Sequence, residues 1–170
     1  PLIALMKDQV DALRRRGIKA TAIHTGLTQD EIAKRLDNCL FGDYKFLYVS
    51  PERLGSEFFR HKLRKMPVSF ITVDEAHCIS QWGYDFRPAY LDIAAVRSLL
   101  PGCPVLALTA TATPTVIDDI QERLGFRRKN AIRMSFARPN LSYVVRHTDN
   151  KEATLLRILE AVPGAAIVYT

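Results

Sequence analysis

The sequence has few cysteines and no long apolar run. Its three cysteines, Cys39, Cys78 and Cys103, are odd in number and form no C-x-x-C pair. A disulfide framework and a zinc cluster are therefore not expected, and a reducing compartment suits the composition better. No stretch approaches the roughly 20 consecutive apolar residues that a membrane-spanning helix requires, so we expect no membrane partner.

The sequence also has no initiator methionine and no signal-peptide pattern, and it begins abruptly at Pro1. We therefore expect the natural N-terminus to lie upstream. A further expected absence concerns metals. Cys78 directly follows His77, but adjacent side chains on one turn rarely converge on one ion, so we expect no metal at this pair.

What the chain has in excess is positive charge. Lys and Arg total 24 against 18 for Asp and Glu, which gives a net charge of +6 and a pI near 9.4. Polyanions, either nucleic acid or phosphate-bearing ligands, are therefore plausible partners. The 170 residues, 48% of them hydrophobic, suffice for one good core that hides roughly 70% of the surface of the unfolded chain.

Strand and helix patterns alternate along the chain. Apolar runs predict strands and a period of 3.6 residues predicts helices; Thr28 and Glu31, for example, have capping-box spacing at a helix start. This alternation is typical of βαβ units, so we expect an α/β fold with a parallel sheet flanked by helices. The predicted strands are 18–23, 46–49, 68–73, 105–108, 131–135, 141–146 and 165–169, and the predicted helices are 2–16, 28–41, 56–66, 88–100, 114–124 and 151–161.

Two carboxylates, Asp74 and Glu75, directly follow the predicted strand 68–73. The uninterrupted apolar run suits a strand buried on both faces, as in a parallel sheet with helices on either side. Ligands of open α/β sheets lie beyond the carboxyl ends of strands. One carboxylate there can hold Mg²⁺ through water, and its neighbour can orient or deprotonate an attacking water, as phosphoryl transfer requires. The alternative is a solvated acidic pair in a turn.

Two threonines, Thr109 and Thr111, follow the fourth predicted strand. If that strand neighbours the one before the carboxylates, their hydroxyls lie within hydrogen-bond reach of the segment from Asp74 to His77. Such a layout lets the nucleotide state at one strand end alter the loop at the next. The alternative is that these threonines only serve the start of the following helix, as we expect Thr113 to do.

Three aromatic residues lie at alternate positions shortly after the carboxylates. Trp82, Tyr84 and Phe86 are interleaved with Gly83 and followed by Arg87. Aromatic planes and a guanidinium are what proteins use to bind single-stranded nucleic acid, at roughly 1–3 kcal/mol per stacked base. The alternative is a loop whose rings fold back into the core. We expect at least one ring to be exposed and functional.

The other candidates are helix ends and basic faces. Ser50 and Arg53 at a helix start could hold a phosphate through backbone N–H groups and the helix dipole, although an ordinary capped helix fits equally well. The basic face from Arg60 to Lys65 suits a solvated helix surface better than a binding patch. No role is assigned to His24, His61 or His147, which have no clustered partners in the sequence.

Together these residues resemble the RecQ family of ATP-dependent DNA helicases, DEAH-box members of helicase superfamily 2. The resemblance covers nearly the whole chain, from the family's motif Ia to the start of its motif IV. Asp74-Glu75-Ala76-His77 is the DEAH form of motif II, and Cys78 to Pro88 resembles the aromatic-rich loop that distinguishes RecQ proteins. The other matches are motif Ia at 1–9, motif Ib at 49–54, motif III at 108–112, the interdomain segment at 135–141 and motif IV from 167.

The resemblance implies a role for each matching residue. Asp74 would hold the Mg²⁺ of MgATP, and Glu75 would activate the hydrolytic water. The residues implied to border the nucleotide and relay its state to DNA are His77, Gln81, Thr109 and Thr111. The residues implied to bind nucleic acid are Lys7, Gln9, Ser50, Arg53, Trp82, Phe86 and Arg87.

The resemblance also implies an activity, an architecture and partners. The activity would be 3′-to-5′ unwinding, driven by ATP hydrolysis with Mg²⁺, on single-stranded and forked DNA in repair and recombination. The fold would be a RecA-like parallel sheet flanked by helices that lacks its N-terminal phosphate-loop strand. Residues 1–126 would form the first lobe, 127–150 an interdomain segment, and 151–170 the beginning of a second RecA-like lobe. The favoured location is a bacterial cytoplasm, or the nucleus in a eukaryote.

The sequence lacks several parts of the family's pattern, including its zinc-binding and winged-helix parts. It contains no G-x-x-x-x-G-K-[ST] phosphate loop, and the family's arginine finger would lie beyond Thr170. Such an arginine is worth about 10³–10⁵ in rate in related NTPases, so we expect the 170-residue chain alone to be inactive. The alternatives are a DEAH-type RNA helicase, a non-catalytic nucleic-acid-binding module without a phosphate loop, and a nucleotide-binding signalling domain.

Overall fold

The structure, a computed structural model, describes residues 3–135 and 137–169. Its contacts divide the chain into two units, the first reaching to Ala131 and the second starting at Ile132. Four residues lie outside the described ranges: Pro1 and Leu2 of the predicted motif Ia, Phe136 of the predicted interdomain segment, and Thr170 after the predicted last strand.

The first unit contains two pairs of parallel strands. Strand β1 (Ala20–Ile23) pairs with β2 (Phe46–Val49), and β3 (Ile71–Val73) pairs with β4 (Val105–Ala107). The predicted α/β fold with parallel strands and flanking helices is therefore confirmed. Strand β2 has the predicted bounds, whereas β1, β3 and β4 are shorter than predicted. Within the described ranges the strands form two pairs rather than one continuous sheet.

Helices connect these strands, and several begin at the residues that the sequence indicates. The Thr28 hydroxyl accepts a hydrogen bond from the Glu31 N–H at 3.3 Å, and the Glu31 carboxylate accepts one from the Thr28 N–H at 2.8 Å. The predicted capping box is therefore confirmed. The α-helices of this unit are α1 (Ile3–Arg15), α2 (Gln29–Phe41), α3 (Glu57–Leu63), α4 (Asp92–Leu99) and α5 (Pro114–Arg123). Short 3₁₀ segments span Pro51–Arg53, Ala76–Ile79 and Pro88–Leu91.

Strand β1 is the element buried on both faces. Ala20 and Ala22 pack against Met6 and Val10 of α1, whereas Ile23 joins the main core on the opposite side. Helices α2 to α5 supply much of that core, together with Val73 of β3 and with Ile79 and Tyr90 of the 3₁₀ segments. Burial of each large aliphatic side chain stabilises the fold by roughly 1.5–3 kcal/mol. The fully buried large residues of the unit include Met6, Ile23, Leu36, Ile79, Val116 and Leu124.

The prediction that 68–73 forms a strand buried on both faces is wrong. Strand β3 begins only at Ile71, and Phe70 remains 53% exposed. Because side chains alternate along a strand, Val73 faces the core while Thr72, like its partner Leu106 on β4, faces away from it and is exposed. An apolar run shows that burial is favourable on both faces, but not whether another element covers each face.

The second unit contains one helix, α6 (Lys151–Ala161), within the residues described. The Asn150 side chain caps it by accepting a hydrogen bond from the Ala153 N–H at 2.9 Å. The strands predicted at 131–135, 141–146 and 165–169 are absent from the described structure, so these predictions are wrong. Tyr143 is 92% exposed and Ile167 is 82% exposed. A strand needs a neighbour to satisfy its backbone, and no strand partner is present in the described part of this unit.

Within residues 3–135 and 137–169, none of the helices combines the length and the apolar composition that a membrane span requires.

Candidate functional site

Asp74 lies at the carboxyl end of β3, as predicted. Its side chain is half-buried, and its Oδ1 accepts a hydrogen bond from the N–H of Glu75 at 3.0 Å. The Tyr90 hydroxyl donates to the Asp74 backbone carbonyl at 3.3 Å, which anchors the residue from the other side. Within residues 3–135 and 137–169, the second carboxylate oxygen of Asp74 has no hydrogen-bond partner and can take a ligand beyond the strand end.

Glu75 has an unusual backbone conformation. Its φ of 49° and ψ of 43° place it in the left-handed region, and it is the one non-glycine residue with positive φ in the described ranges. Such a conformation costs about 1–3 kcal/mol and persists where the surroundings enforce it. Here the Leu108 N–H donates to the Val73 carbonyl at 2.8 Å and the Ala76 N–H donates to the Leu108 carbonyl at 2.9 Å. The ladder between β3 and β4 thus continues on both sides of Glu75 and holds its strained turn.

His77 joins the ends of the two strands. Its ring is buried, and its Nδ1 lies 3.0 Å from the Thr109 hydroxyl and 3.3 Å from the Glu75 carboxylate. The Thr111 N–H donates to the same Thr109 hydroxyl at 3.3 Å. The predicted reach to the segment after Asp74 is therefore confirmed for the Thr109 hydroxyl. Thr111 contacts Thr109 through its backbone N–H. Glu75, His77 and Thr109 form one polar chain that crosses from β3 to β4.

The aromatic loop packs directly on the turn that carries His77. The Tyr84 ring stacks on the His77 ring, with centroids 4.8 Å apart and an interplanar angle of 17°. A Cβ on Gly83 would lie 2.7 Å from the His77 carbonyl oxygen, so only glycine fits this approach. Trp82 is 75% exposed and Phe86 is half-buried. The expectation that at least one ring is exposed is confirmed.

Sequence analysis missed the contact between Tyr84 and His77. The alternating aromatic spacing identified all three rings, but it gave them equal weight. Nothing in the spacing indicates which ring folds back onto the turn, because that depends on the close approach at Gly83. Gln81, predicted as a relay between nucleotide and DNA, lies exposed at the start of the same loop.

An ion pair at the end of the loop fixes Arg87. Its guanidinium donates to the Asp85 carboxylate at 2.7 and 3.1 Å, and its backbone N–H donates to the Cys78 carbonyl at 2.9 Å. The Arg87 hydrogen bonds hold the pKa of Asp85 below its usual value, and Asp85 in turn raises the pKa of Arg87. Arg87 is therefore attached to the loop through both its side chain and its backbone.

The side chains of His77 and Cys78 do converge, so the expectation that adjacent residues on this turn do not is wrong. The Cys78 Sγ lies 3.7 Å from His77 Nε2 and 3.7 Å from Asp85 Oδ2. The reason is the tight 3₁₀ turn Ala76–Ile79, which turns both side chains towards the returning loop. Burial, followed by the Asp85 charge, raises the pKa of the Cys78 thiol.

The ends of β1 and β2 carry a different set of groups. Ser50 follows β2 and is buried, and its hydroxyl has no hydrogen-bond partner in the part of the chain that the structure describes. Arg53 lies in the next turn and donates to the carbonyls of His24 and Thr25 at 3.2 and 2.9 Å. The predicted pair of Ser50 and Arg53 is thus held against the loop that leaves β1.

Several cations surround His24 at this second strand end. Burial, and then the positive charges of Lys7, Arg35 and Arg53, lower the pKa of His24, while the Glu31 charge opposes this effect. Two of the predicted nucleic-acid-binding residues, Lys7 and Arg53, therefore lie near one point. The predicted residues thus form two groups, one around β1 and β2, where Gln9 lies half-buried on α1, and one in the aromatic loop.

Comparisons with known proteins agree with this geometry. The family described as DEAD/DEAH box helicase matches residues 1–120. The chain is 47% identical over 172 residues to the ATP-dependent DNA helicase RecQ of Bacillus subtilis (strain 168), covering 100% of this chain and 29% of that protein. It is 43% identical to the protein of the same name from Pasteurella multocida (strain Pm70), covering 99% and 27%. It is 38% identical to that of Haemophilus influenzae (strain ATCC 51907 / DSM 11121 / KW20 / Rd), covering 99% and 28%.

The chain therefore spans less than a third of the length of these curated relatives. The identities extend over essentially all of its residues, and they confirm the resemblance to RecQ helicases that the DEAH segment and the aromatic loop indicated. The family match includes both strand pairs and the polar chain from Glu75 to Thr109. The chain belongs to the DEAD/DEAH box helicase family.

Proposed function

We propose that the chain is part of the ATP-driven motor of a RecQ-type DNA helicase, with the nucleotide bound beyond the carboxyl ends of β3 and β4. One observation supports this most strongly. The carboxylate of Asp74, the strained turn at Glu75 and the bond from His77 to Thr109 meet at the carboxyl ends of two adjacent parallel strands. Strained backbone beside paired polar groups is typical of catalytic sites.

The acidic residues divide the work of hydrolysis. Asp74 would hold the Mg²⁺ of MgATP through water, and its half-buried carboxylate fits that hard cation. The metal would neutralise charge on the phosphates. The Glu75 carboxylate, half exposed and in reach of His77 Nδ1, would orient the attacking water and take up its proton.

The link to nucleic acid runs through His77. Its Nδ1 contacts Glu75 and Thr109, and its ring stacks on the ring of Tyr84 in the aromatic loop. A base that stacks on exposed Trp82 would shift the aromatic loop. Because Tyr84 of the same loop stacks on His77, that shift would reach the His77 ring. Single-stranded DNA would bind at the strand pair β1 and β2 and along the aromatic loop. The residues proposed to bind it are Lys7, Gln9, Ser50, Arg53, Trp82, Phe86 and Arg87. Gln81 and Thr111 would help His77 to transmit the nucleotide state to DNA.

Several finer points belong to the same proposal. We propose 3′-to-5′ unwinding of forked DNA in repair and recombination, a second RecA-like lobe that faces the nucleotide, and a bacterial cytoplasmic or eukaryotic nuclear location. The domain limits at 126 and 150 are likewise proposals. The 170 residues contain no phosphate loop, so we expect the isolated chain to hydrolyse no ATP at a useful rate.

The test compares nucleic acids as activators of the longer protein that carries this chain. Phosphate release is measured with MgATP alone, with a single-stranded DNA and with an RNA of the same sequence. We expect strong stimulation by DNA and weak stimulation by RNA. Equal or stronger stimulation by RNA would favour the DEAH-type RNA helicase, and ATP binding without any hydrolysis would favour a non-catalytic module.

A further inference from the structure

We propose that His77, Cys78 and Asp85 form a binding site for Zn²⁺, separate from the Mg²⁺ position at Asp74. One donor atom from each residue, an imidazole nitrogen, a thiol sulfur and a carboxylate oxygen, lies within 4.8 Å of the other two. The sulfur is 3.7 Å from both its neighbours. Tetrahedral zinc with Zn–S near 2.3 Å and Zn–N or Zn–O near 2.1 Å places its donor atoms about 3.5 Å apart. Small side-chain adjustments would therefore close the site.

The groups around these three residues already orient them. The Nδ1 of His77 contacts Thr109 and Glu75, so its Nε2 is the nitrogen that faces Cys78. A histidine ligand that is held by a hydroxyl or carboxylate through its other nitrogen is the usual arrangement in zinc sites. Arg87 similarly fixes Asp85 through two hydrogen bonds to its carboxylate.

The donor set selects the metal. Sulfur and imidazole nitrogen suit Zn²⁺, whereas Mg²⁺ prefers oxygen ligands. When the S–Zn bond forms, the Cys78 thiol loses its proton to solvent, and a water molecule would complete the four ligands. The Arg87 guanidinium beside Asp85 opposes a second cation. We therefore expect reversible binding rather than a permanent structural site.

Zn²⁺ binding would restrain the aromatic loop. Asp85 belongs to the aromatic loop, and His77 and Cys78 belong to the turn after Glu75, so Zn²⁺ would join the loop to the turn. On the function proposed above, zinc would then reduce DNA-stimulated hydrolysis. Metal binding itself does not depend on that function and is measured without ATP or DNA.

The test uses Co²⁺ as a spectroscopic substitute for Zn²⁺ on the purified 170-residue chain, whose three cysteines are Cys39, Cys78 and Cys103. We expect Co²⁺ to produce a thiolate-to-cobalt charge-transfer band in the near ultraviolet, and Zn²⁺ to remove it. The band should persist in a Cys39→Ser/Cys103→Ser double variant, disappear in Cys78→Ser, and require at least about tenfold more Co²⁺ in Asp85→Asn. Circular dichroism confirms that each variant is folded.

Three outcomes would overturn the proposal. They are the absence of the band in the unaltered protein, its persistence in folded Cys78→Ser, and its loss in the folded double variant. If Cys78→Ser fails to fold, the double variant decides alone, because Cys78 is then the one thiol left in the chain.

Discussion

The two strand pairs of the first unit end in groups of opposite charge. Beyond β3 and β4 lie the carboxylates of Asp74 and Glu75, connected through His77 to a threonine hydroxyl. Beyond β1 and β2 lie Arg53 and Lys7, close to a buried histidine whose pKa they lower after the effect of burial. The carboxyl ends of the strands thus carry acidic groups in one pair and basic groups in the other.

The backbone differs between the two ends as well. Glu75, the second residue after β3, adopts the left-handed region, whereas Ser50, the first residue after β2, has ordinary extended angles of −75° and 140°. A phosphate that is only bound needs cations and N–H groups, but a phosphate that reacts needs a carboxylate held in one geometry. In the described residues, backbone strain therefore accompanies the proposed chemical step and is absent from the strand end where binding alone is proposed.

The largest expected effect is on ATP turnover, and it should distinguish Glu75 beyond β3 from Glu52 beyond β2. Replacing Glu75 by Gln in the longer protein should reduce ATP turnover by about 10²–10⁴-fold, because an amide cannot take up a proton. ATP binding, measured by equilibrium titration, should change little. The matched control is Glu52→Gln, an exposed glutamate beyond β2, which should turn over normally. Normal turnover in Glu75→Gln would exclude Glu75 as the base.

The next effect concerns the aromatic loop at the acidic end. Trp82→Ala removes an exposed ring, and the loss of one stacked base is worth about 1–3 kcal/mol. DNA-stimulated hydrolysis should therefore fall by roughly 5- to 150-fold, while hydrolysis without DNA and the affinity for nucleotide should remain. Trp82→Phe is the control and should keep most of the stimulation. Unchanged stimulation in Trp82→Ala would contradict a DNA-sensing role.

A smaller effect tests the basic end. Arg53→Ala should weaken single-strand binding at every sequence and lower the slope of log affinity against log salt by about 0.7, as expected for one lost phosphate contact. Fluorescence anisotropy at several salt concentrations measures this slope. Arg64→Ala, which removes an exposed cation of the helix after Arg53, is the control. Equal slopes in Arg53→Ala and the unaltered protein would show that Arg53 only braces the His24 loop.

Local spacing and parallel topology account for what sequence could predict. The capping box at Thr28 depends on residues three apart, and the position of Asp74 depends on where one apolar run stops. The reach from His77 to Thr109 followed from expecting neighbouring parallel strands. Each of these inferences needs at most one assumption about tertiary structure, and the structure agrees with each.

The features that sequence could not predict depend on which element covers or meets another. The apolar run before Asp74 did not show that the face with Phe70 and Thr72 is exposed. The β-favouring residues around Tyr143 form no strand in the described second unit, because strand propensity is realised only beside a partner. The stack of Tyr84 on His77 and the approach of Asp85 to Cys78 arise from loop geometry that residue spacing does not encode.

The smallest expected effect concerns helix α2, which connects β1 to β2. Hydrogen bonds from the Thr28 N–H and hydroxyl lower the pKa of Glu31 from its ordinary value of 4.5. Because the folded-state pKa lies below the unfolded one, the carboxylate stabilises the fold above pH 4.5 and this stabilisation is lost as the pH falls through the folded-state pKa. Glu31→Gln should therefore melt at a slightly lower temperature than the unaltered protein at neutral pH, and at the same temperature once Glu31 is protonated. A difference in melting temperature that is equal at both pH values would show that the charge of Glu31 does not stabilise the basic strand pair.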